Sequence, residues 1–580
     1  MVRNSHANCR VKETRRASRI HAGPALFASR RPGVDCAGSG LEFTEGTIEV
    51  PVLIVGGGPV GLAMAIELGW REIDCLLVEQ GDGSTDFPRA NTIDLRSMEF
   101  CRRWGVAEAV RAAGLPPDFP HTALYLTSLA GYEIARFERG SHGGAGGSSV
   151  SPERPQRCNQ LFFDPVLRAH ASAMDGVTLR HSCRFESFSQ DDTGVTATVR
   201  DLTTDKDETI PATYLIACCG GRSPIRKSLG IELGNEGVLG YPLSIFFKTD
   251  ALWAHHDKGK SALNFLLDPS GVWATLIPLD GKELWRITLH GSKTYVDPAT
   301  IDAHDIISRV VGKEFDYELL SVGNWKRREM VAPHYRYGKI FLAGDSAHQN
   351  TPTGGYGMNT GIGDPVDLGW KIAAMLDGWG DAALLDSYEA ERQPVAARNV
   401  AEATANFKRR SYATSEALCD TTPHGAKIRR GLSSKIIDDN TRQHRGQGIA
   451  LGHIYDNSPI YVADGVAPPA DTVTDYVPSS RPGARAPHAE LLDGQSILDL
   501  FGLGFVLLRL GGTSSDTTPL AAAADRCGAP LTVTTIDKPE IAKLYEYPLV
   551  LVRPDGHVAW RGNAVPDAPK ALIDRVRGAA

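Results

Sequence analysis

The sequence predicts an α/β fold: a parallel, helix-flanked sheet built on a dinucleotide-binding turn, interrupted by an inserted antiparallel sheet and followed by a smaller α/β domain. Three observations carry this. The apolar run Val50–Val55 passes straight into Gly56-Gly57-Gly58-Pro59-Val60-Gly61 and then into an apolar helical stretch. Residues 243–290 change character and read as short β-type runs separated by Asp-Pro-Ser-Gly and Asp-Gly turns. Strand and helix periodicity returns at 339–343 and 359–376, so the first domain resumes after the insertion.

Composition narrows the class. At 580 residues, with 42% hydrophobic and 23% charged residues, the chain is a multidomain globular protein, which excludes collagen-like, mucin-like and wholly disordered chains. Its net charge of -7 gives no basic surplus for nucleic acid. Ten cysteines without a CxxC pair or zinc spacing point away from a disulfide scaffold and leave no metal ligand set to assign. Residues 50–70 are apolar enough to suggest a membrane span, but Pro51, Gly56, Gly57, Gly58, Pro59, Gly61 and Glu67 make them strand, turn and helix. The first forty residues lack the apolar core of a signal peptide, so a cytoplasmic protein is expected.

Residues 1–46, rich in Arg, Ser, His and Gly, are read as a disordered extension in preference to a transit peptide. The dinucleotide-binding domain is expected over 47–410, with a flexible Gly/Ser-rich loop at 140–151 and the inserted sheet at about 235–330. Strands are expected at 243–249, 262–267, 272–277 and 284–289, and a polar helix at 384–410. A helical connection and a proline-rich linker fill 411–484. In the last domain, 485–580, the runs 505–510, 531–536 and 549–560 read as strands, the final one a hairpin on Pro554-Asp555-Gly556. A helix capped by Asp567, with Pro569 in its first turn, closes the chain.

The glycine-rich turn has the context that phosphate binding requires. Gly56 permits the tight turn, Gly58 lets a pyrophosphate approach the helix N-terminus that begins at Pro59, and Gly61 lets helix and strand pack closely. Glu79, ending the next apolar run, can accept hydrogen bonds from an adenosine ribose. A second element at 339–359 brings Gly344-Asp345 to a strand end and opens a helix with a glycine-rich loop. Asp345 can bind a polyol hydroxyl, and the amides of Gly357, Met358 and Asn359 can face a ligand at the positive end of the helix.

These motifs resemble those of the single-component flavoprotein aromatic hydroxylases, a family that includes phenol, hydroxyphenylpropionate and polyketide hydroxylases. The matching stretches are GGGPVGL with Glu79, Pro88-Arg89-Ala90 with Arg96, Gln160 in NQLFFDPVL, Gly220-Gly221-Arg222-Ser223 with Arg226, and GDSAHQNTPTGGYGMNTG. The resemblance implies a Rossmann-like FAD-binding domain in which Glu79 meets the adenosine ribose and Asp345 the ribityl chain. Arg89 and Gln160 would lie along the phosphates and ribityl chain, with Met358 and Asn359 at the flavin pyrimidine edge. Pro352 matches a proline near the oxygen-reactive face of the ring, where its role is positional; His348 matches a family position and is read as structural. The last domain is similar to the thioredoxin-like appendage of phenol hydroxylases, and its lone Cys527 implies a redox-inactive role in packing or homodimer contacts.

The family's activity implies that NADPH or NADH reduces FAD, that O2 forms a flavin C4a-hydroperoxide, and that one oxygen passes to a small phenolic or polyketide-type ring. The inserted sheet would roof the substrate, with Phe246, Trp273 and Trp285 as candidate contacts. Two residues depart from the family pattern. Cys219 stands where the family has Asp, and a thiol cannot replace an acceptor-only carboxylate. Pro365 falls inside an expected helix, where it costs on the order of 3 kcal/mol unless the helix kinks. The competing readings are a flavin-binding protein with impaired turnover and another FAD oxidoreductase. Against the latter, the chain shows no CxxxxC pair, no Trp-x-Trp signature and no second GxGxxG.

Overall fold

A strand covered on both faces must be apolar at nearly every position, and Val50–Val55 meets that demand at the centre of an eight-stranded sheet. The computed structural model describes residues 49–138, 147–231, 237–410, 412–444, 446–491 and 494–580. The expected extension at 1–46 and most of the loop at 140–151 lie outside them. Val50–Val55 pairs in parallel with Cys75–Val78 on one side and with the second half of the long strand Lys206–Ala217 on the other. Val177–Arg180 extends the first side and Ile340–Leu342 the second, both in parallel. The sheet is thus completed by chain that arrives after the insertion.

The helix Pro59–Gly69 is buried from Gly61 to Leu68 because the helix Tyr356–Leu376 lies along it. Glycines permit that approach: a Cβ at Gly361 would stand 2.9 Å from Val60 and one at Gly369 2.6 Å from Glu67. Glu67 is itself fully buried and serves as a tie. It accepts from Arg71 at 2.8 Å, Arg103 at 2.6 Å and the Trp104 indole at 2.7 Å, which fastens the first helix to Leu95–Arg103. Burial pushes the Glu67 carboxyl up, but Arg103 and Arg71 outweigh it and hold the group below its ordinary value.

The expected inserted strands form as Leu243–Lys248, Leu263–Asp268, Gly271–Pro278 and Leu284–Leu289. Their seven-stranded sheet reaches beyond the insertion, however. Glu318–Asn324 closes one edge, while Ala123–Leu126 and Glu133–Phe137, from far upstream, close the other. The junction of Leu263–Asp268 with Ala123–Leu126 is parallel, unlike the rest of the sheet. One face carries Ile245, Phe247, Leu276, Trp285 and Ile287 onto the helix Ala303–Val311. The opposite face carries Phe246, Ile277 and Arg286, which are directly cross-strand from one another.

That register sorts the three aromatic candidates. Trp285 is locked in the helix-side core, its indole donating to Thr249 O at 3.0 Å. A β-bulge, at which Leu267 pairs with Val272 and Leu266 with Ala274, turns Trp273 to the same side, where Arg309 stacks on it at 3.9 Å. Phe246 alone of the three faces away from that core.

The chain continues through the 28-residue helix Ala382–Arg409 and the helices Pro423–His444 and Gln447–Leu451. The last sheet runs in the order Leu531–Ile536, Phe505–Leu510, Leu549–Val552, Val558–Gly562. The closing helix, Pro569–Val576, is preceded by Ala568 in the N-cap position and not by Asp567. This terminal unit does not stand apart from the first. Trp370, Ala374, Trp379 and Leu384 share one apolar core with Phe505, Leu507, Leu551 and Ile573.

A buried charge cluster lies beside that core. Arg553 binds Glu391 at 2.5 Å and also Asp555, while Lys371 binds Asp367 at 2.6 Å and Glu391 at 2.7 Å. Three carboxylates face two cations, and burial, with Glu391 adding to it, raises the Asp367 carboxyl well above its usual range. Although Asp367, Glu391 and Asp555 lie close enough to hold an ion, the positive charge is already supplied by Lys371 and Arg553. Arg553→Met leaves Glu391 and Asp555 short of a partner and should cost about 3–5 kcal/mol. Denaturant unfolding of the FAD-loaded protein measures this, and an unchanged midpoint would refute the role given to the cluster.

Candidate active site

The glycine-rich turn is shaped by what stands next to it. Gly56 adopts φ +113°, and a Cβ there would meet Cys218 O at 2.4 Å, so both backbone and space demand glycine. Gly61 lies closer still, with Gly56 O 1.9 Å from its Cβ position. Gly58 is different. Its backbone is extended, and no atom lies within 4 Å of its Cβ position, so the N-terminus of Pro59–Gly69 opens onto free space. No side chain caps this helix, in contrast with Leu95–Arg103 and Gln160–Ser172, which Asp94 and Asn159 cap. Its first amides are therefore available to an anion. Glu79 accepts from Gly57 N at 2.6 Å and Gly81 N at 2.8 Å, which orients both carboxylate oxygens and leaves each a further lone pair.

The second element repeats the arrangement. Ile340–Leu342 ends at a 3-10 turn, Gly344–Ser346, on which Asp345 is exposed to a cleft. Surrounding protein raises the Asp345 carboxyl, partly offset by His348, Arg89 and Arg226. The helix Tyr356–Leu376 starts from Gly355 at φ +75°, again without a side-chain cap, which frees the amides at Gly357 and Met358. Between these lies Pro352, exposed, its carbonyl accepting from Gly355 N at 3.1 Å. Thr351 and Thr353 on either side donate to Ala403 O at 2.9 and 2.5 Å and pin the loop to the helix Ala382–Arg409.

Three of the expected site residues are spent on the protein itself. Asn359 donates to Thr92 O at 3.0 Å and Gly355 O at 2.7 Å and accepts from Asp94 N at 3.0 Å, so its main chain is what remains for a ligand. Gln160 turns its amide to Asp164 at 3.0 Å in its own helix. His348 is fully buried with Nε2 2.8 Å from Asp364. Arg89 is exposed, while its carbonyl accepts from Arg286. Arg96 is likewise engaged by the protein, bonded to Glu99 at 2.8 Å and Asp555 O at 3.0 Å.

Asp364 is the residue that sequence reasoning missed. It accepts from Gly344 N at 2.9 Å, His348 and Arg392 at 2.9 Å, and thereby fixes the Asp345 turn against the helix. Its one visible signal is an acid in the middle of an apolar helix, immediately before Pro365. Burial pushes the Asp364 carboxyl up, but His348 and Arg392 outweigh it and hold the group below its usual range. Nearby, Cys219 lies 2.9 Å from the Ser223 hydroxyl, and burial raises its thiol, which stays neutral. Arg226 staples that turn to the Asp345 turn through Gly221 O at 2.8 Å and Ser346 O at 3.1 Å.

Residues 49–403 match the family model described as FAD binding domain, and residues 479–580 match that described as aromatic-ring hydroxylase, C-terminal. A putative polyketide hydroxylase of Streptomyces halstedii is 33% identical, over 89% of this chain and 93% of its own length. The 4-methyl-5-nitrocatechol 5-monooxygenase of a Burkholderia species is 34% identical over 92% and 98%. Among solved structures, the rebeccamycin biosynthetic enzyme RebC with reduced flavin superposes with a TM-score of 0.86 at 40% identity, covering 92% of this chain and all (100%) of that one. Aklavinone-11 hydroxylase with FAD and aklavinone gives 0.78 at 28% identity, covering 91% and 99%.

The two glycines of the turn should separate folding from cofactor binding. Gly56→Ala clashes with Cys218 O and should give little folded protein, whereas Gly58→Ala should keep its melting temperature without cofactor and lose FAD, read from flavin absorbance after desalting. Retention of stoichiometric FAD by G58A would exclude a phosphate at that opening. Asp364 gives a pH signature. Because its folded value is depressed, its stabilisation is complete above the unfolded value of about 4 and is lost as pH falls through the folded one. Asp364→Asn should cost about 3–5 kcal/mol at neutral pH and flatten the acid limb of the stability curve.

Proposed function

This chain belongs to the FAD-dependent aromatic-ring hydroxylases, and on that premise we propose that it inserts one atom of dioxygen into the ring of a phenolic or polyketide-type substrate, with NADPH or NADH as electron donor. The observation that carries this reading is the pairing of two uncapped helix N-termini, at Gly58 and Gly355, with two carboxylates, Glu79 held by backbone amides and Asp345 exposed at a strand end. That is the donor and acceptor set a dinucleotide with a polyol chain requires.

The residues fit FAD. The amides that follow Gly58 would receive the pyrophosphate, Glu79 the adenosine ribose and Asp345 the ribityl hydroxyls. Arg89, by charge, and Gln160, by position, would border the same path. Gly357, Met358 and the main chain of Asn359 would meet the ring at its pyrimidine edge. FAD when bound supplies the two-electron chemistry that links the nicotinamide donor to dioxygen. The protein's own work is positional and electrostatic. The positive end of Tyr356–Leu376 favours negative charge on a ring placed there. Pro352, which has no proton to give, fixes the loop beside the ring, and the sheet face bearing Phe246 covers the cleft and keeps water out.

A panel of phenols should therefore stimulate NAD(P)H oxidation by the FAD-loaded enzyme, and mass spectrometry should find a product heavier by one oxygen atom. Stimulated oxidation that yields only hydrogen peroxide with every substrate would defeat the hydroxylation while leaving the flavin site intact.

A further inference from the structure

Three arginines converge around His290 on the Phe246-bearing side of the seven-stranded sheet, and among the described residues none of them reaches a carboxylate. Arg286 donates to the carbonyls of Pro88, at 2.8 Å, and Arg89. Arg327, only 2% exposed, donates to His290 Nδ1 at 3.0 Å and stacks on Phe407 at 4.3 Å. Arg410 lies over Phe265 at 4.7 Å. The Nε of all three is buried without a partner. Arg286 and Arg410 are half-buried; among fully buried guanidiniums elsewhere, Arg392 is matched by Asp364, Arg485 by Glu99 and Arg553 by Glu391, whereas Arg226 stands alone on carbonyls.

The imbalance shows in every group of the cluster. Burial pulls the Arg286 and Arg327 guanidiniums down to about 10, Arg410 adding to the effect at Arg327, and both remain cations at neutral pH. Burial and the three arginines together push His290 well below its usual range. Neutral His290 accepts from Arg327 at Nδ1, so its Nε2–H donates to Thr275 at 2.8 Å, and it contributes no charge of either sign. Charge left unpaired in a site of low polarity is unfavourable, and it favours an anion that the polypeptide does not supply.

The cluster also stands in the right place. Ala403, which holds the Pro352 loop, precedes Phe407 by one helical turn, about 6 Å along the axis. Arg410 ends the same helix, and Arg286 is tied to the 88–89 segment beside the expected cofactor path. The surroundings are aromatic: Phe246 lies opposite Arg286, and Tyr125 stacks on Phe265 at 4.6 Å.

We propose that the substrate is an aromatic carboxylic acid whose carboxylate is received by Arg286, Arg327 and Arg410. Guanidiniums present paired N–H donors that match a carboxylate, and the apolar rings beside them suit an aromatic body. The proposal rests on the ring hydroxylation inferred above and narrows its substrate class.

Binding tests it independently of turnover. The oxidised, FAD-loaded enzyme without nicotinamide is titrated by calorimetry with 4-hydroxybenzoate, 1-hydroxy-2-naphthoate and indole-2-carboxylate, each beside its primary amide. At least one acid should bind about tenfold or more tightly than its amide. Arg410→Gln should abolish that preference while keeping FAD content, melting temperature and amide affinity within about twofold. Arg286→Gln, from a different element, should do the same and guards against a folding defect in either variant. If every acid binds no better than its amide, or if both variants weaken acid and amide alike, the proposal is overturned. Acid preference without any hydroxylated product would instead sink the oxygenase reading and leave the carboxylate site standing.

Discussion

The buried carboxylate of Asp364 is the fixed point of the cofactor side of this protein. It collects donors from three separate pieces of chain: the amide of Gly344 at a strand end, the ring of His348 in the following loop, and the guanidinium of Arg392 on the next helix. A buried carboxylate is tolerated only when its lone pairs are filled, so each donor is constrained by the cost of leaving it. Arg392 passes the constraint on by donating to Thr360 O at 2.9 Å, and Asn399 adds a bond to the Thr360 hydroxyl at 2.8 Å. The Asp345 turn, the Pro352 loop and the start of the Tyr356 helix therefore hold one geometry, although no covalent link shorter than the loop itself joins them.

The dinucleotide half of the fold was legible because its physics is local. A strand, a tight glycine turn, a helix and a terminal acid occupy thirty consecutive residues, 50–79, and each constraint acts on its neighbours. The inserted strands were legible for the same reason, since alternation and turn residues fix them one by one. Pairing was not. Nothing in Ala123–Leu126 announces that it will lie parallel to Leu263–Asp268, because the decision depends on which edge the rest of the fold leaves open. The bulge at Trp273 escaped in the same way: one extra residue reverses the face of a side chain, and it is visible only in the register. Asn359 and Gln160 were identified by position, but the side chain of Asn359 reaches Thr92 and Asp94, far off in sequence, and that of Gln160 turns along its own helix to Asp164, a choice of rotamer that position alone does not decide. The arginine cluster joins residues 286, 327 and 410, and only the fold shows that, among the described residues, no acid pairs with them.

The two departures from the family pattern have different physical weight. Pro365 removes one amide from the Tyr356 helix, yet the helix runs from Tyr356 to Leu376 across it. The proline stands four residues after Gly361, where the helix has no side chain and is pressed against Val60 and Gly344, so neighbouring backbone supports it. Cys219 changes chemistry as well as shape. A neutral thiol facing the Ser223 hydroxyl cannot supply the charge of an aspartate, but the turn does not depend on that charge for its position. Arg226 and Gln349 both hold Gly221 O, at 2.8 and 3.0 Å. The departure therefore bears on an encounter with an outside ligand more than on the architecture.

The terminal unit makes the same point about distance. Its only cysteine, Cys527, ends a helix and lies 4.0 Å from Asp574, so the unit holds no second thiol for dithiol chemistry, and what it shares with the site is packing. The helix that presents Gly357 and Met358 to the cleft is 21 residues long, about 30 Å. Its far half carries Trp370 into the shared core and Asp367 and Lys371 into the charge cluster completed by Arg553. Without the terminal unit, that half would expose apolar surface and leave two carboxylates facing a single lysine. A helix cannot be loosened at one end and remain fixed at the other, so the placement of the amides at the cleft depends on the terminal unit packed against its far end.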